Sequence, residues 1–258
     1  MPSDRSKHGG RAELGQNDLH DPATVDAILR LVRRTRGPIL EIGAGTGTLT
    51  RPLAALGRPL VAVELDEHLV AALRRDLPGV EVVHADATRH RIGPRTRVVV
   101  GNLPFHVTTP LLRHVLAAPA WTDAVLLVQW EVARKRAGVG GSTLMTAQTA
   151  PWFELRLGPR VPARAFRPRP GVDGGLLVVR RRSTPLVPDR DRRAYAELVR
   201  RVFTGRGRGV AQTLARARSV SPTRARAWCT AAGVDPWALP RDVTPQQWAA
   251  LWACCDER

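Results

Sequence analysis

The tetrapeptide Asn102-Leu103-Pro104-Phe105 combines residue types suited to one kind of chemistry, the activation of a planar amine. An exocyclic amine such as N6 of adenine is a poor nucleophile, because its lone pair is delocalised into the ring. Two acceptors, the Asn102 side-chain carbonyl and the Leu103 backbone carbonyl, would take its hydrogens and favour the pyramidal nitrogen that in-line attack on a methyl group needs. Pro104 restricts the turn through its fixed φ, and Phe105 offers a ring on which an extruded base can stack. No strong general base is required. Alone, the tetrapeptide reads equally well as a helix-entry loop with a capping Asn and a core Phe, so its surroundings decide its meaning.

Those surroundings are three earlier strand ends. In Ile39-Leu40-Glu41-Ile42-Gly43-Ala44-Gly45-Thr46-Gly47 a glycine-rich turn joins an apolar strand to a helix, which lets the backbone approach a ligand closely. The dinucleotide version of this turn is longer and seats a pyrophosphate on the helix N-terminus. The shorter form suits a nucleoside without phosphate, such as S-adenosylmethionine. Glu64, in Val61-Ala62-Val63-Glu64-Leu65-Asp66, falls about 20 residues on, where a carboxylate accepts from ribose hydroxyls. Asp86, in His84-Ala85-Asp86-Ala87, ends the third strand and would accept from the adenine amine. Gly43, Gly45, Glu64, Leu65, Asp86, Ala87 and Asn102 form the expected cofactor set. Each alone is weak evidence; at successive strand ends they reinforce one another.

The elements that must position these residues follow from hydrophobic periodicity. Val25, Ile28, Leu29 and Val32 share one face of a helix spanning Thr24 to Arg34. Strands are expected at Pro38 to Ile42, Leu60 to Glu64, Val80 to His84, Arg97 to Gly101 and Ala124 to Gln129. Helices are expected at Thr46 to Leu56, Glu67 to Asp76 and Thr109 to Leu116. This alternation predicts an α/β fold, a Rossmann-like parallel sheet with helices on both faces. Beyond Trp130 a basic stretch runs into the flexible Gly138-Val139-Gly140-Gly141. Two late strands, Trp152 to Leu157 and Gly175 to Arg180, would lie antiparallel at the sheet edge. Arg180 to Pro185 reads as a hinge. A small all-helical C-terminal domain follows, with helices starting near Asp189, Val210 and Pro222 and a last one after Thr244, an N-cap with Pro245 at the first helical position. The expected organisation is a disordered basic tail at 1–15, a cofactor-binding catalytic domain at 16–182 and a helical RNA-binding domain at 183–258.

Charge adds the partner. Forty Lys and Arg against 23 Asp and Glu give a net charge of +17, with a pI near 11.6, which points to a polyanion. All basic residues except Lys7 and Lys135 are arginine, so a general arginine bias is the alternative source of the charge. No apolar run approaches a membrane span, and the first fifteen residues have no apolar signal centre, so a cytoplasmic protein without membrane contact is expected. Cys229, Cys254 and Cys255 lack zinc-site spacing and cannot build a disulfide framework, and no metal is expected. No apolar seam advertises a dimer, which leaves a monomer.

In these motifs the sequence resembles the ribosomal RNA adenine N6-dimethyltransferases, and within them the macrolide-resistance (erythromycin-resistance methylase) branch. The likeness covers nearly the whole chain: Gln16-Asn17, the glycine turn, Glu64, Asp86, Asn102 to Phe105, the run Gln129-Trp130-Glu131-Val132-Ala133-Arg134-Lys135-Arg136, and Phe166-Arg167-Pro168-Arg169-Pro170-Gly171-Val172-Asp173. The resemblance implies a class I methyltransferase sheet in which Gln16, Asn17 and Gly43 contact S-adenosylmethionine and Phe166 helps hold the target adenine. It further implies N6-methylation, single or double, of a 23S rRNA adenine near the peptidyl transferase centre, which confers macrolide-lincosamide-streptogramin B resistance. The housekeeping enzyme of small-subunit (16S) rRNA and a non-catalytic nucleic-acid-binding relative are the alternatives. Phe105, Trp130 and Trp152 favour the resistance branch, since housekeeping enzymes usually carry Tyr in the catalytic motif and lack Gln-Trp-Glu. The chain departs from the family at Asp18, where Phe is usual after Gln-Asn, and at Gly174, where Ser is usual after Val-Asp. Looped or single-stranded RNA would be read by stacking and by arginine contacts to phosphate. Arg134, Lys135 and Arg136, then Arg164, Arg167 and Arg169, and Arg206 with Arg208 in a pliable glycine-spaced loop, are the candidates.

Overall fold

The computed structural model describes residues 17–256. Gln16, the expected tail at 1–15 and the last two residues lie outside them. The elements run β1 (Asp18–Leu19), α1 (Pro22–Arg33), β2 (Ile39–Ile42), α2 (Thr50–Ala54), β3 (Leu60–Glu64), α3 (Glu67–Asp76), β4 (Glu81–His84), β5 (Val98–Asn102), α4 (Thr108–Ala117) and β6 (Asp123–Gln129). They continue through α5 (Trp130–Arg136), α6 (Leu144–Thr149), β7 (Phe153–Val161), β8 (Phe166–Arg167) and β9 (Gly174–Arg181) to α7 (Arg192–Thr204), α8 (Val210–Arg218), α9 (Pro222–Ala231) and α10 (Pro245–Asp256).

Seven strands form one sheet in the order β4-β3-β2-β5-β6-β9-β7. The pairs β2/β3, β3/β4, β2/β5 and β5/β6 are parallel. Parallel strands covered on both faces need unbroken apolar sequence, which is what Val98-Val99-Val100 and Leu126-Leu127-Val128 supply. Val98, Val100, Val125 and Leu127 meet Ile28, Leu29 and Val32 of α1 in one core cluster. Their alternates Val99, Ala124, Leu126 and Val128 point the other way by the strand period and are fully buried too, so both faces are covered. The chain steps outward from β2 to β4 and returns to β5 on the other side. The carboxyl ends of β2 and β5 therefore flank the crevice where open sheets of this kind bind ligands.

Local chemistry explains most boundaries. Asp21 caps α1 by accepting from Thr24 N at 2.9 Å, with Pro22 at the first helical position. Thr244 caps α10 in a reciprocal arrangement with Gln247: each residue's amide donates to the other's side-chain oxygen, at 3.0 and 3.3 Å. The helix expected from Thr46 starts only at Thr50. Gly45 (φ 55°) and Gly47 (φ 85°) adopt left-handed conformations that a right-handed helix cannot contain. The stretch after Trp130, where no helix was expected, holds two short helices. α5 carries Glu131 in its first turn and Arg134, Lys135 and Arg136 in its last, the arrangement a helix dipole favours. α6 is capped by Thr143, which accepts from Thr146 N.

Contacts divide the chain into two interleaved units, one running to Trp130 and resuming at Gly158–Val178, the other formed by Glu131–Leu157 and Val179 onward. This division runs through β7 and β9, whereas the sequence pattern sets one boundary after residue 182. The reason is local. Tyr195 of α7 donates its hydroxyl to Ala147 O at 2.9 Å, and Gln148 Nε2 donates to Ala196 O at 2.8 Å, so α6 belongs with the C-terminal helices. The expected hinge is also tied down in this unit. Arg182 N donates to Trp152 O, its guanidinium donates to Ala150 O and pairs with Glu154 at 3.0 Å, and Leu186 N donates to Pro151 O. Among the described residues no helix is long and apolar enough to cross a membrane, and no group of three or more His, Cys, Asp or Glu is placed to hold a metal ion.

Candidate functional site

Because β2, β3, β4 and β5 run parallel, the residues that end them meet along one edge of the sheet. Gly43 follows β2, Glu64 closes β3, Asp86 lies two residues beyond β4, and Asn102 closes β5. The glycine turn leaves β2 through Gly43 (φ 71°), whose amide, with that of Ala44, donates to Val63 O at 2.9 and 3.1 Å. Glu64 is 2 % exposed and braces the turn. Gly45 N donates to its Oε2 at 2.7 Å, and Leu65 N and Asp66 N donate to Oε1 at 2.8 and 3.0 Å. One carboxylate therefore fixes the loops after both β2 and β3.

A slot of about 270 Å³ opens beside this turn, lined on its apolar walls by Ile42, Val63, Leu65, Val107 and Leu111 and on its polar ends by Glu64 and Asp86. Thr88 donates its amide and its hydroxyl to Asp86 Oδ1 at 2.8 and 2.7 Å. These bonds, the hydroxyl's first, hold the Asp86 carboxyl below its usual range, so it is an ionised acceptor at neutral pH. Leu65 is half exposed at the rim, its carbonyl held by His84 Nε2 at 2.9 Å. A largely apolar slot lined by two carboxylates, with no Lys or Arg among its described lining residues to take a phosphate, fits a nucleoside. Of the set expected from sequence, Gly43, Glu64, Leu65, Asp86 and Ala87 line it, and Gly45 and Asn102 do not. The wall residues Val107 and Leu111 were missed, and their signal is the i, i+4 spacing at the start of α4.

The slot shares Gly43, Glu64 and Pro104 with a second, smaller recess lined by Asn17, Asp18, Gly45, Asn102, Leu103 and Phe105. Here Asn102 Nδ2 donates to the Asn17 backbone carbonyl at 2.8 Å. A carbonyl can face only a donor, so this bond fixes which end of the amide is which and turns Oδ1 away from Asn17. The Leu103 amide donates to Leu127 O at 2.9 Å, and Pro104 O receives Val107 N and the Thr108 hydroxyl, both at 3.1 Å. No hydrogen bond among the described residues occupies the Leu103 carbonyl. The motif thus offers two acceptors, Asn102 Oδ1 and Leu103 O, on a backbone anchored to β6 and α4.

Phe105 is partly exposed above this recess, and Phe166 meets it edge-on, ring centroids 6.1 Å apart at 70°. Phe166 itself is 1 % exposed in the core cluster with Leu19 and Leu176. The ring expected to help hold the adenine is thus covered, and its contact toward the recess is with Phe105. Gly174 is tied to this packing, since a Cβ there would lie 3.0 Å from Phe166 Cζ and 3.1 Å from Leu127 Cδ1. β1 pairs antiparallel with β8, Asp18 opposite Arg167 and Leu19 opposite Phe166, which seats Asn17 and Asp18 at the recess. Asp18 Oδ1 lies 3.5 Å from where a Cβ on Gly45 would be. A buried acid also escaped sequence reasoning: Glu41 of β2 is 1 % exposed. Burial pushes its carboxyl up to about 8; Thr50 opposes this and the Glu64 charge adds to it.

The expected RNA-contacting arginines fare differently. Arg164, Arg167 and Arg169 are exposed on the sheet unit. In the helical unit Lys135 is exposed, Arg134 pairs with Glu131 at 3.2 Å, and Arg136 is partly buried with Nη1 on the Thr143 hydroxyl at 3.0 Å. Arg206 and Arg208 are exposed, and Arg208 N donates to Gln212 Oε1 at 2.6 Å. Of the residues separating the two RNA families by resemblance, Trp130 lies under the Arg160 guanidinium, 5.4 Å from its ring centroid. Trp152 is a core residue set edge-on to Tyr195.

The profile of the ribosomal RNA adenine dimethylase family matches residues 7–255. The chain belongs to this family. Among similar adenine dimethylases, an rRNA adenine N-6-methyltransferase of Corynebacterium diphtheriae is 54 % identical over 80 % of this chain and 83 % of its own length. The mycinamicin-resistance protein MyrB of Micromonospora griseorubida is 50 % identical over 95 % and 78 %. The crystal structure of the 23S rRNA methyltransferase ErmE superposes with a TM-score of 0.84 at 34 % identity, covering 93 % of this chain and 100 % of that one. S-adenosylmethionine is the methyl donor of this dimethylase family, and the slot described above suits its nucleoside part.

Proposed function

We propose that this dimethylase transfers one or two methyl groups from S-adenosylmethionine to N6 of a specific adenine in 23S rRNA near the peptidyl transferase centre, conferring macrolide-lincosamide-streptogramin B resistance. The observation that carries the chemistry is the fixed Asn102 amide, whose donor end is held by Asn17 O at 2.8 Å. S-adenosylmethionine, when bound, supplies an electrophilic methyl group on a sulfonium. Gly43 and Gly45 give the backbone approach, Glu64 accepts from ribose hydroxyls, Asp86 accepts from the cofactor's adenine amine, and Leu65 and Ala87 flank the base. Asn17 lines the adjoining recess, and the cofactor contacts of Gln16 and Asn17 are those the family resemblance implies. Asn102 Oδ1 and Leu103 O accept the two hydrogens of the target amine, which draws its lone pair out of the ring. As nitrogen gains positive charge in the transition state, both acceptors bind it more tightly than in the ground state, the condition for catalysis. Phe105 stacks on the target base, and Phe166 keeps Phe105 in place.

The choice of 23S rRNA is supported by the function named for ErmE and by the resistance named for MyrB. In this reading the sheet unit performs the transfer, the helical region from residue 183 contributes RNA contacts, and exposed arginines of both take phosphates. The protein acts as a cytoplasmic monomer. The test is incubation with labelled cofactor and naked rRNA of each subunit, followed by mapping of the methylated adenine. Label in one 23S adenine is expected; label confined to 16S rRNA would replace this reading with the housekeeping one.

A further inference from the structure

Within the helical unit one large aromatic side chain stands in solvent. Trp237, between α9 and α10, is 64 % exposed, and the methyl transfer makes no use of it. Its backbone is nevertheless rigidly set. Trp237 N donates to Asp235 Oδ1 at 2.9 Å, and α8 starts against the same turn, Val210 N donating to Ala238 O at 2.9 Å and Ala211 N to Pro236 O at 3.1 Å. Gly209 has φ 86°, and a Cβ on it would lie 2.6 Å from Pro236 O and 2.6 Å from Trp237 Cα. Only glycine fits there, and it brings the Arg206-Gly207-Arg208 loop up against the Trp237 backbone. From α9, the Arg226 guanidinium lies 5.8 Å from the Trp237 ring centroid. Two residues earlier, Arg224 lies 5.3 Å from the ring of the half-buried Trp228. Arg206, Arg208, Arg224 and Arg226 are all exposed. The Asp235 carboxylate accepts from the Trp237 amide.

A large exposed aromatic marks an interaction site, and its surroundings select the partner. One guanidinium over an exposed indole, with three further exposed arginines on the loop before α8 and on α9, matches a polyanion that carries π-faces of its own. In single-stranded or looped RNA, unpaired bases stack on aromatic rings while the backbone follows arginines, whereas in a duplex the bases are already stacked on each other. We propose that Trp237, with Arg206, Arg208, Arg224 and Arg226, forms a platform for unpaired RNA, the indole stacking a base and the arginines holding adjacent phosphates. From the function proposed above it takes only the premise that the partner is RNA.

The test compares the full chain with Trp237→Ala and Trp237→Phe by fluorescence anisotropy, using a synthetic RNA hairpin with an unpaired purine loop and a blunt RNA duplex of equal length. Loss of one stacked base corresponds to roughly 5- to 150-fold in Kd. Trp237→Ala should weaken hairpin binding within that range, Trp237→Phe should retain most of it, and duplex binding should move less than about two-fold. Removing Arg206 and Arg208 together should reduce the slope of log affinity against log salt by about 0.7 for each phosphate no longer neutralised. Cofactor affinity of the Trp237 variants should match that of the parent chain. Unchanged hairpin affinity in Trp237→Ala, equal losses on hairpin and duplex, or no rescue by Phe would each overturn the platform. So would unchanged RNA binding combined with lost binding to a ribosomal protein, which would make the patch a protein-docking surface. A parent chain that binds the hairpin through Trp237 yet methylates no rRNA would refute the proposed function and leave the platform standing.

Discussion

Replacing Asn102 probes both ends of its amide. In Asn102→Ala the acceptor for the target amine disappears. Hydrogen bonds to groups bearing charge contribute about 1.5–3 kcal/mol, and deleting one preorganised transition-state interaction typically slows an enzyme by about 10²–10³-fold. The same substitution leaves the Asn17 carbonyl, now bonded at 2.8 Å, without its donor. That costs about 1–3 kcal/mol where the group is buried and less here, where the bond is only partly covered. The expected result is a single-turnover methylation rate at least 100-fold lower, with a small loss of thermal stability and S-adenosylmethionine affinity changed far less than the rate. Asn102→Asp sharpens the test. It keeps acceptor oxygens but would turn one of them toward the Asn17 carbonyl, and the repulsion should swing the side chain away and leave the variant nearly as slow as Ala. Transfer of tritiated methyl to rRNA measures the rate, and calorimetry the cofactor affinity. Near-normal turnover in Asn102→Ala would remove the catalytic assignment; substantial activity in Asn102→Asp would show that the bond to Asn17 does not position the amide.

Two other substitutions test neighbouring groups. Asp18 lines the recess beside Gly45, so Asp18→Asn should weaken binding of the cationic S-adenosylmethionine by less than about ten-fold, and that of S-adenosylhomocysteine, which lacks the sulfonium charge, by less. Equal calorimetric affinities in parent and variant would take Asp18 out of the cofactor site. Glu41 has a folded-state carboxyl near 8 against an ordinary 4.5, so between those values the folded chain holds more protons than the unfolded one. Its contribution to stability is present below the lower value and is lost as pH rises through the upper. Thermal unfolding of the parent chain should therefore shift downward from pH 5 to 8.5, and Glu41→Gln should flatten the shift. An identical pH profile in the variant would contradict the burial argument.

The sheet and the gathering of Gly43, Glu64, Asp86 and Asn102 at its edge were legible in the sequence because both rest on local patterns. An apolar run, a turn residue and an acid at the strand end need no distant partner to be recognised, and the predicted starts of β3, α3, α8 and α9 coincide with those observed. Features made by long-range packing were not legible. The bond between Asn102 and Asn17 joins residues 85 apart, and the two-residue strands β1 and β8 exist only as a pair. Glu41 reads as any polar residue in a strand until the sheet closes over it. Phe105 and Phe166 look alike in sequence, and only packing exposes one and buries the other. The glycines beside Arg206 and Arg208 suggest pliability, whereas at Gly209 the requirement is close approach to the Pro236–Trp237 backbone. The two helices after Trp130 were hidden by the glycine cluster between them.

The most direct measurement identifies the chemical product. Total rRNA is incubated with the chain and S-adenosylmethionine bearing an isotopically heavy methyl group, digested to nucleosides and analysed by mass spectrometry. The roles proposed for Asn102 and Leu103 predict the heavy methyl on the exocyclic nitrogen, as N6-methyladenosine or N6,N6-dimethyladenosine. Heavy methyl on a ring nitrogen, on carbon or on a 2′-hydroxyl would contradict it.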